Sequence, residues 1–184
     1  MTNLQDAQQD MKNGYGYGAV GVIVSGIVWL LSSLAVNFYS PKNGIWTLII
    51  GGMLIFPVAN LIGKLIGLKS KHDKNNPLAK LTMEGTIWMI MCIPLAYGLS
   101  LIKVEWFFQG MLMIIAGRHL IFATVYGTRI YWVLGAMLGL AAYILFKLEA
   151  TAFISVLAGG LIEIILGIII YILYNKNKNS LIVN

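Results

Sequence analysis

Six uninterrupted apolar runs, each about the length of one membrane crossing, constrain this chain more than any other feature. They cover residues 17–39, 44–68, 79–102, 106–126, 130–146 and 150–174. A helix needs about 20 apolar residues to cross the hydrocarbon core of a bilayer. Lipid offers no partner to a backbone N–H or C=O, so only helices and closed barrels can span it. Barrel strands are about half as long and alternate polar with apolar positions, whereas these runs are apolar throughout. The expected fold is therefore an all-α integral membrane protein, a bundle of six transmembrane helices. Composition agrees: 59% of residues are hydrophobic and only 11% charged, with a mean hydropathy of +0.81. A water-soluble domain of that composition would lack polar surface.

The connections set an expected orientation. Of 13 Lys and Arg residues, Lys12, Lys64, Lys69, Lys71, Lys74, Lys80, Arg129, Lys176 and Lys178 fall on the side of the N-terminus. Lys42, Lys103 and Lys147 fall on the other. The positive-inside rule then puts both termini in the cytoplasm, with residues 1–14 and 175–184 as short tails and residues 15–174 as the membrane domain. The expected location is the plasma membrane of a bacterial cell. This topology also accounts for the net charge of +6, so no nucleic-acid partner is implied; the expected partner is the bilayer itself. Aromatic residues fall near both interfaces, Tyr39, Trp46 and Trp106 at one and Tyr15, Tyr131, Trp132 and Tyr174 at the other. Three helices followed by three would give halves of opposite orientation, as in inverted-repeat transporters, although Pro57 and Pro94 do not occupy matching places in the two halves.

Against this background the informative residues are the polar ones inside apolar runs: Asn60, Glu84, Arg118, His119 and Glu163. A charge at the centre of a spanning helix costs about 2.5–3.5 kcal/mol on insertion scales, so such residues normally face a partner or water. At ~1.5 Å rise per residue, Arg118 lies roughly 12–14 Å from the N-terminal side of the membrane, Glu163 roughly 16 Å, Asn60 about 12 Å and Glu84 about 8–9 Å. Four helices thus bring polar groups to one layer in the cytoplasmic half. Arg118 keeps its charge in practice, and Glu163, of opposite charge and nearly matched depth, is its expected partner. His119 follows Arg118 by about 100° around the helix, so the two cannot point to one spot. A buried ion pair can also fix helix register with no ligand involved, and a lone buried histidine commonly serves packing.

Other patterns are weaker. Thr151, Ser155, Gly159, Glu163, Gly167 and Tyr171 recur every four residues, a ridge of small and polar groups that suits close helix packing or a polar groove leading to Glu163. Gly63 with Gly67 and Gly135 with Gly139 have the same packing spacing. The "GYGYGAVG" stretch lacks the strand and the Lys-Ser/Thr ending of a phosphate loop and reads as a closely packed start of the first helix. With two histidines and one cysteine, Cys92, no Cys/His metal cluster or internal disulfide is expected, and no cofactor.

Three functions fit these residues. The favoured one is a transporter or channel-like protein for a small, anionic solute, with Arg118 as anchor and Glu163, Glu84 and His119 as ion-coupling groups. A chain of six helices would then be expected to work as a homodimer. The second is a membrane-embedded enzyme acting on a lipid-like substrate, against which stands the absence of a G-x-S-x-G, H-E-x-x-H or Asp-rich motif. The third is a non-transporting accessory protein whose buried charges are structural.

Overall fold

The structure is a computed structural model that describes residues 3–180, with side chains as far as Asn177. The side chain of Lys178, one of the basic residues of the C-terminal tail, and the tail residues 181–184 lie outside what is described. Seven α-helices follow one another: α1 (Leu4–Tyr15), α2 (Ala19–Phe38), α3 (Pro41–Leu65), α4 (Pro77–Ser100), α5 (Glu105–Tyr126), α6 (Ile130–Lys147) and α7 (Ala152–Ser180). Six of them are long and apolar enough to cross a membrane, and the described residues form no sheet.

Local sequence accounts for the boundaries. Ser40 and Asn76 cap α3 and α4, accepting from the backbone N–H of Asn43 and Leu78, and each is followed by a proline at the first helical position, where its missing N–H is not needed. Pro57 and Pro94 lie inside α3 and α4, which continue through them. Helix α5 ends on Gly127, which takes the left-handed conformation (φ 54°) that a C-terminal glycine adopts without a side-chain clash. Helix α7 continues beyond Tyr174 to Ser180.

The short helix α1 is set off from α2 by a single 3-10 turn at Gly16–Gly18, in which three successive residues have positive φ (Gly16 54°, Tyr17 57°, Gly18 76°). Glycine adopts this conformation freely, while Tyr17 does so under strain. Far from being a loose tail, α1 buries Ala7 and Met11 and is tied down along its length. Gln8 donates to the carbonyl of Thr124 (2.7 Å), and Asp10 accepts from the backbone of Asp73 (2.9 Å) and from the side chain of Asn76 (2.8 Å). Ser70 donates its N–H to Gly14 (2.9 Å), and Tyr15 shares a 2.8 Å hydrogen bond with His72. The long connection between α3 and α4 is thus folded onto α1, and His72 is part of that attachment.

The spanning helices pack unevenly. Helices α2 and α7 form one intimate pair, α5 and α6 a second, and α5 also meets α7, while α3 lies mainly on α2 and α4 mainly on α5. Small residues set the closest approach of α2 to α7. A Cβ on Gly26 would lie 2.9 Å from the backbone nitrogen of Ile164, and one on Gly167 would lie 2.8 Å from Ile23. Gly135 plays the same part between α6 and α5, where a Cβ would lie 3.0 Å from the Ala116 carbonyl oxygen. The Gly63–Gly67 spacing has another use, because α3 ends at Leu65 and Gly67 sits in the turn beyond it with φ 84°. The core runs through Trp29, Phe107, Phe108, Leu112, Tyr131, Leu134, Leu138 and Ile170, each no more than 1% exposed.

Candidate functional site

The polar residues foreseen in the membrane separate into two groups around α5, with two others left apart. Successive residues on a helix diverge by about 100°, and Arg118 and His119 do so here. His119 turns inward and is buried, whereas Arg118 turns to α4 and is half-buried.

The inward group is a His–Glu pair. His119 Nε2 lies 3.7 Å from Glu163 Oε1, and the two side chains are 5% and 0% exposed. That separation exceeds hydrogen-bonding distance, so the groups adjoin without a closed bond. Neither carboxyl oxygen of Glu163 has a hydrogen-bond partner. Ser25 on α2 lies close enough to interact with the carboxyl, but its geometry falls short of a hydrogen bond. On its other side the histidine ring is firmly held. Nδ1 lies 2.8 Å from the Ile115 carbonyl oxygen, and the ring stacks on Tyr131 (centroids 6.0 Å apart, planes at 17°) and meets Phe122 edge-on.

Tyr131 carries the arrangement toward the α1 end of the bundle. Its ring also stacks on Tyr126 (5.6 Å, 23°), and its hydroxyl donates to the Tyr17 carbonyl at 2.7 Å. The left-handed turn at Tyr17 is therefore tied directly to the ring that covers His119. Gly18 is pressed against the same two tyrosines, where a Cβ would lie 2.7 Å from both rings' outer atoms. Tyr131 is completely buried, which corrects its expected place in an interfacial aromatic belt; its position near the start of an apolar run suits either place.

The outward group is Arg118 with α4. Its Nη2 donates to the Thr86 hydroxyl (3.3 Å), Nη1 lies 3.6 Å from the Met89 sulfur, and the guanidinium sits over the Phe122 ring at 5.3 Å. Its Nε is buried without a partner. No carboxylate forms an ion pair with it among the described residues, so the expected Arg118–Glu163 bridge is replaced by the His119–Glu163 contact. Depth along a helix cannot discriminate between neighbours only ~1.5 Å apart in rise; rotation about the axis decides.

Glu84 and Asn60 do not join either group. Glu84 is exposed on α4, and Asn60 on α3 is half-buried, with its backbone carbonyl accepting from Ser70. The four-residue ridge of α7 is filled by packing: beyond Glu163 toward the far end, Gly159 receives Leu112 and Trp29. Further along, Ser155 meets Gln109, a buried residue of α5 that the sequence did not single out. Its amide donates to Ser155 and to the carbonyls of Leu145 and Ala150 at 3.3–3.4 Å, and its Oε1 has no partner. Ser25 and Gln109 escaped notice because each is an unremarkable residue in an apolar run, marked only by which way its helix is rotated.

At the far end of the bundle, Lys103 and Glu149 form an exposed 2.8 Å ion pair between two connections. The lysine holds the Glu149 carboxyl below its usual range, and the carboxylate holds Lys103 above its own, in both cases first through their hydrogen bond and then through charge. At the α1 end, a shallow cavity of about 260 Å³ is lined by Lys12, Tyr17, Thr128 and Asn177 among others. Among the described residues, no three His, Cys, Asp or Glu side chains gather in a way that could hold a metal ion.

No curated protein and no solved structure matches the chain. A family model does, over residues 4–173, which takes in α1 and nearly all of the bundle. The chain belongs to DUF7010, a family of unknown function.

Proposed function

We propose that this membrane protein is a transporter for a small anionic solute, with Arg118 as the anchor for the anion and the His119–Glu163 pair as the ion-coupling element. The observation that carries the reading is the state of Arg118. A guanidinium that keeps its charge lies within a spanning segment, and its contacts are a hydroxyl, a thioether and an aromatic face. Intramembrane cations are normally balanced by a carboxylate or by an anionic ligand, and a planar guanidinium suits carboxylates and phosphate-like groups. The carboxylate within electrostatic reach, Glu163, faces His119 on the other side of α5. In this reading both termini face the cytoplasm, the membrane is the plasma membrane of a bacterial cell, and two copies form the transporting unit. Glu84 and Asn60 lie apart from the centre.

The test is uptake into proteoliposomes of a panel of small carboxylates and phosphates under an imposed pH gradient. Wild-type protein should accumulate at least one of them. Arg118→Gln should abolish that uptake while remaining monodisperse in detergent. Uptake by Arg118→Gln at the wild-type rate would remove the anchor role, and loss of fold in that variant would favour a purely structural arginine.

A further inference from the structure

The His119–Glu163 contact has an unusual hydrogen-bond count. His119 Nδ1 lies 2.8 Å from a backbone carbonyl oxygen, which can only accept, so Nδ1 carries a proton and donates it. In a neutral imidazole the other nitrogen then has a bare lone pair. That nitrogen, Nε2, is the atom that faces Glu163 Oε1 at 3.7 Å. With both groups in these forms, two acceptors would confront each other in a place with no water-facing surface, since both side chains are buried. An ionised carboxylate there would have no closed hydrogen bond on either oxygen, the Ser25 hydroxyl lying close by without completing one, a costly arrangement in an apolar interior.

One additional proton resolves both problems. On the carboxyl, it provides a donor aimed at Nε2; on Nε2, it creates an imidazolium beside a carboxylate. We infer that His119 and Glu163 form a buried binding site for a single proton, carried either on the Glu163 carboxyl or on His119 Nε2. The inference names the coupling ion in the transport reading above, and rests on that reading only for its role in uptake. The step is a simple association: the carboxylate–imidazole pair plus one proton gives the protonated pair, with no other bond made or broken.

The groups facing this site from the surrounding helices are consistent with it. From α5 come Arg118 and Tyr126, from α6 Tyr131, and from α2 the hydroxyl of Ser25. Arg118 is the fixed positive charge among them, and it is committed to α4 through Thr86 and Met89. It is near enough to stabilise the pair when the proton leaves, and too far to replace the proton by a direct bond to Glu163. The stack of Tyr131 on His119 holds the imidazole plane, so that proton binding changes the occupancy of Nε2 without requiring the ring to turn.

Infrared spectroscopy of the full-length protein in an ester-free detergent at neutral pH tests this. A carboxylic-acid C=O band should be present in the wild type and missing in Glu163→Gln, which retains shape and volume. Nitrogen NMR of ring-labelled histidine, with His72→Gln used to assign the two signals, gives an independent reading on an intact Glu163. A His119 protonated at Nδ1 with a bare Nε2, together with the carboxylic-acid band, supports the proposal; so does an imidazolium protonated at both nitrogens beside an ionised Glu163. A neutral His119 with an ionised Glu163 at neutral pH overturns it, even if Glu163→Gln fails to fold. The transport reading fails separately: a protonated pair in a protein that accumulates no anion leaves the proton site standing, and gradient-driven uptake with no proton on the pair does the reverse.

Discussion

The two sides of α5 contrast sharply, although they are made from neighbouring residues. On the inner side, where α5 meets α6 and α7, Leu112, Ala116, His119, Ala123 and Tyr126 are buried. On the side toward α4, Gly117 and Arg118 are only half-buried. Helix α4 itself is covered by protein over just 11% of its apolar window, against 50% for α5. One side is a dense core with a carboxyl that completes no hydrogen bond inside it; the other is an open seam with a fixed charge. Polar groups on the two sides are therefore subject to different constraints. On the dense side a missing partner cannot be supplied by rearrangement, because close-packed interiors have few alternative positions. On the open side Arg118 has a long, flexible stem and a neighbouring helix with little holding it elsewhere, so an incoming ligand can be accommodated.

Four changes would break or sharpen this contrast. The largest effect belongs to the inner side: Leu112→Ala, at a fully buried position, should lower stability by about 2–5 kcal/mol, read as the midpoint of unfolding in detergent. A loss under about 1 kcal/mol would mean that the inner side is less tightly packed than the geometry implies. Tyr131→Phe comes next. It keeps the ring over His119 but removes the donor to the Tyr17 carbonyl, and should cost about 0.5–1.5 kcal/mol, with faster amide hydrogen exchange in α1 and at the turn following it. Arg118→Met on the open side should shift stability by less than about 1 kcal/mol, because a charge desolvated without a carboxylate is replaced by a side chain that suits the seam. A loss as large as that of Leu112→Ala would make Arg118 part of the core and end the contrast.

The smallest effect should come from the exposed Lys103–Glu149 pair, through pH. Glu149 is held below its usual range, so its contribution is complete above the unfolded-state value and disappears as pH falls through the folded-state value. For Lys103, held above its range, the contribution is lost as pH rises through the folded-state value. Because both groups are exposed to solvent, Glu149→Gln should leave the unfolding midpoint near that of the wild type at neutral pH. It should also flatten the slight acid dependence expected of the wild type.

The bundle was legible in the sequence for a direct reason. Lipid imposes one requirement on every residue of a spanning segment, and six runs meet it without interruption. Depth was legible too, because counting residues along each run is enough to place Arg118, His119 and Glu163 near one layer. Partner choice was not. Arg118 and Glu163 carry opposite charges at similar depth, yet the rotation of α5 gives Glu163 to His119 and Arg118 to Thr86 and Met89. Rotation is set by packing over the whole length of a helix, by contacts such as Gly135 against Ala116, and a nearly all-apolar surface leaves little periodicity from which to read it. Tyr131 shows the same difficulty, since an aromatic near a helix end serves an interface or a core equally well. The docking of α1 was hidden for another reason: its partners Asn76 and Thr124 are 66 to 116 residues away from the residues they hold.

That separation bears on how the molecule is assembled. Helix α1 leaves the ribosome well before α5, so the Thr124 carbonyl that Gln8 engages follows only once α5 has been made. The Tyr131 hydroxyl that secures the Tyr17 turn comes later still. Synthesis proceeds at about 5–20 residues per second, so α1 waits several seconds for these two contacts. The attachment of α1 is thus completed only after α5 and the start of α6 are made, and truncation after α4 should leave it unanchored at Thr124 and Tyr131 however well α2, α3 and α4 have inserted.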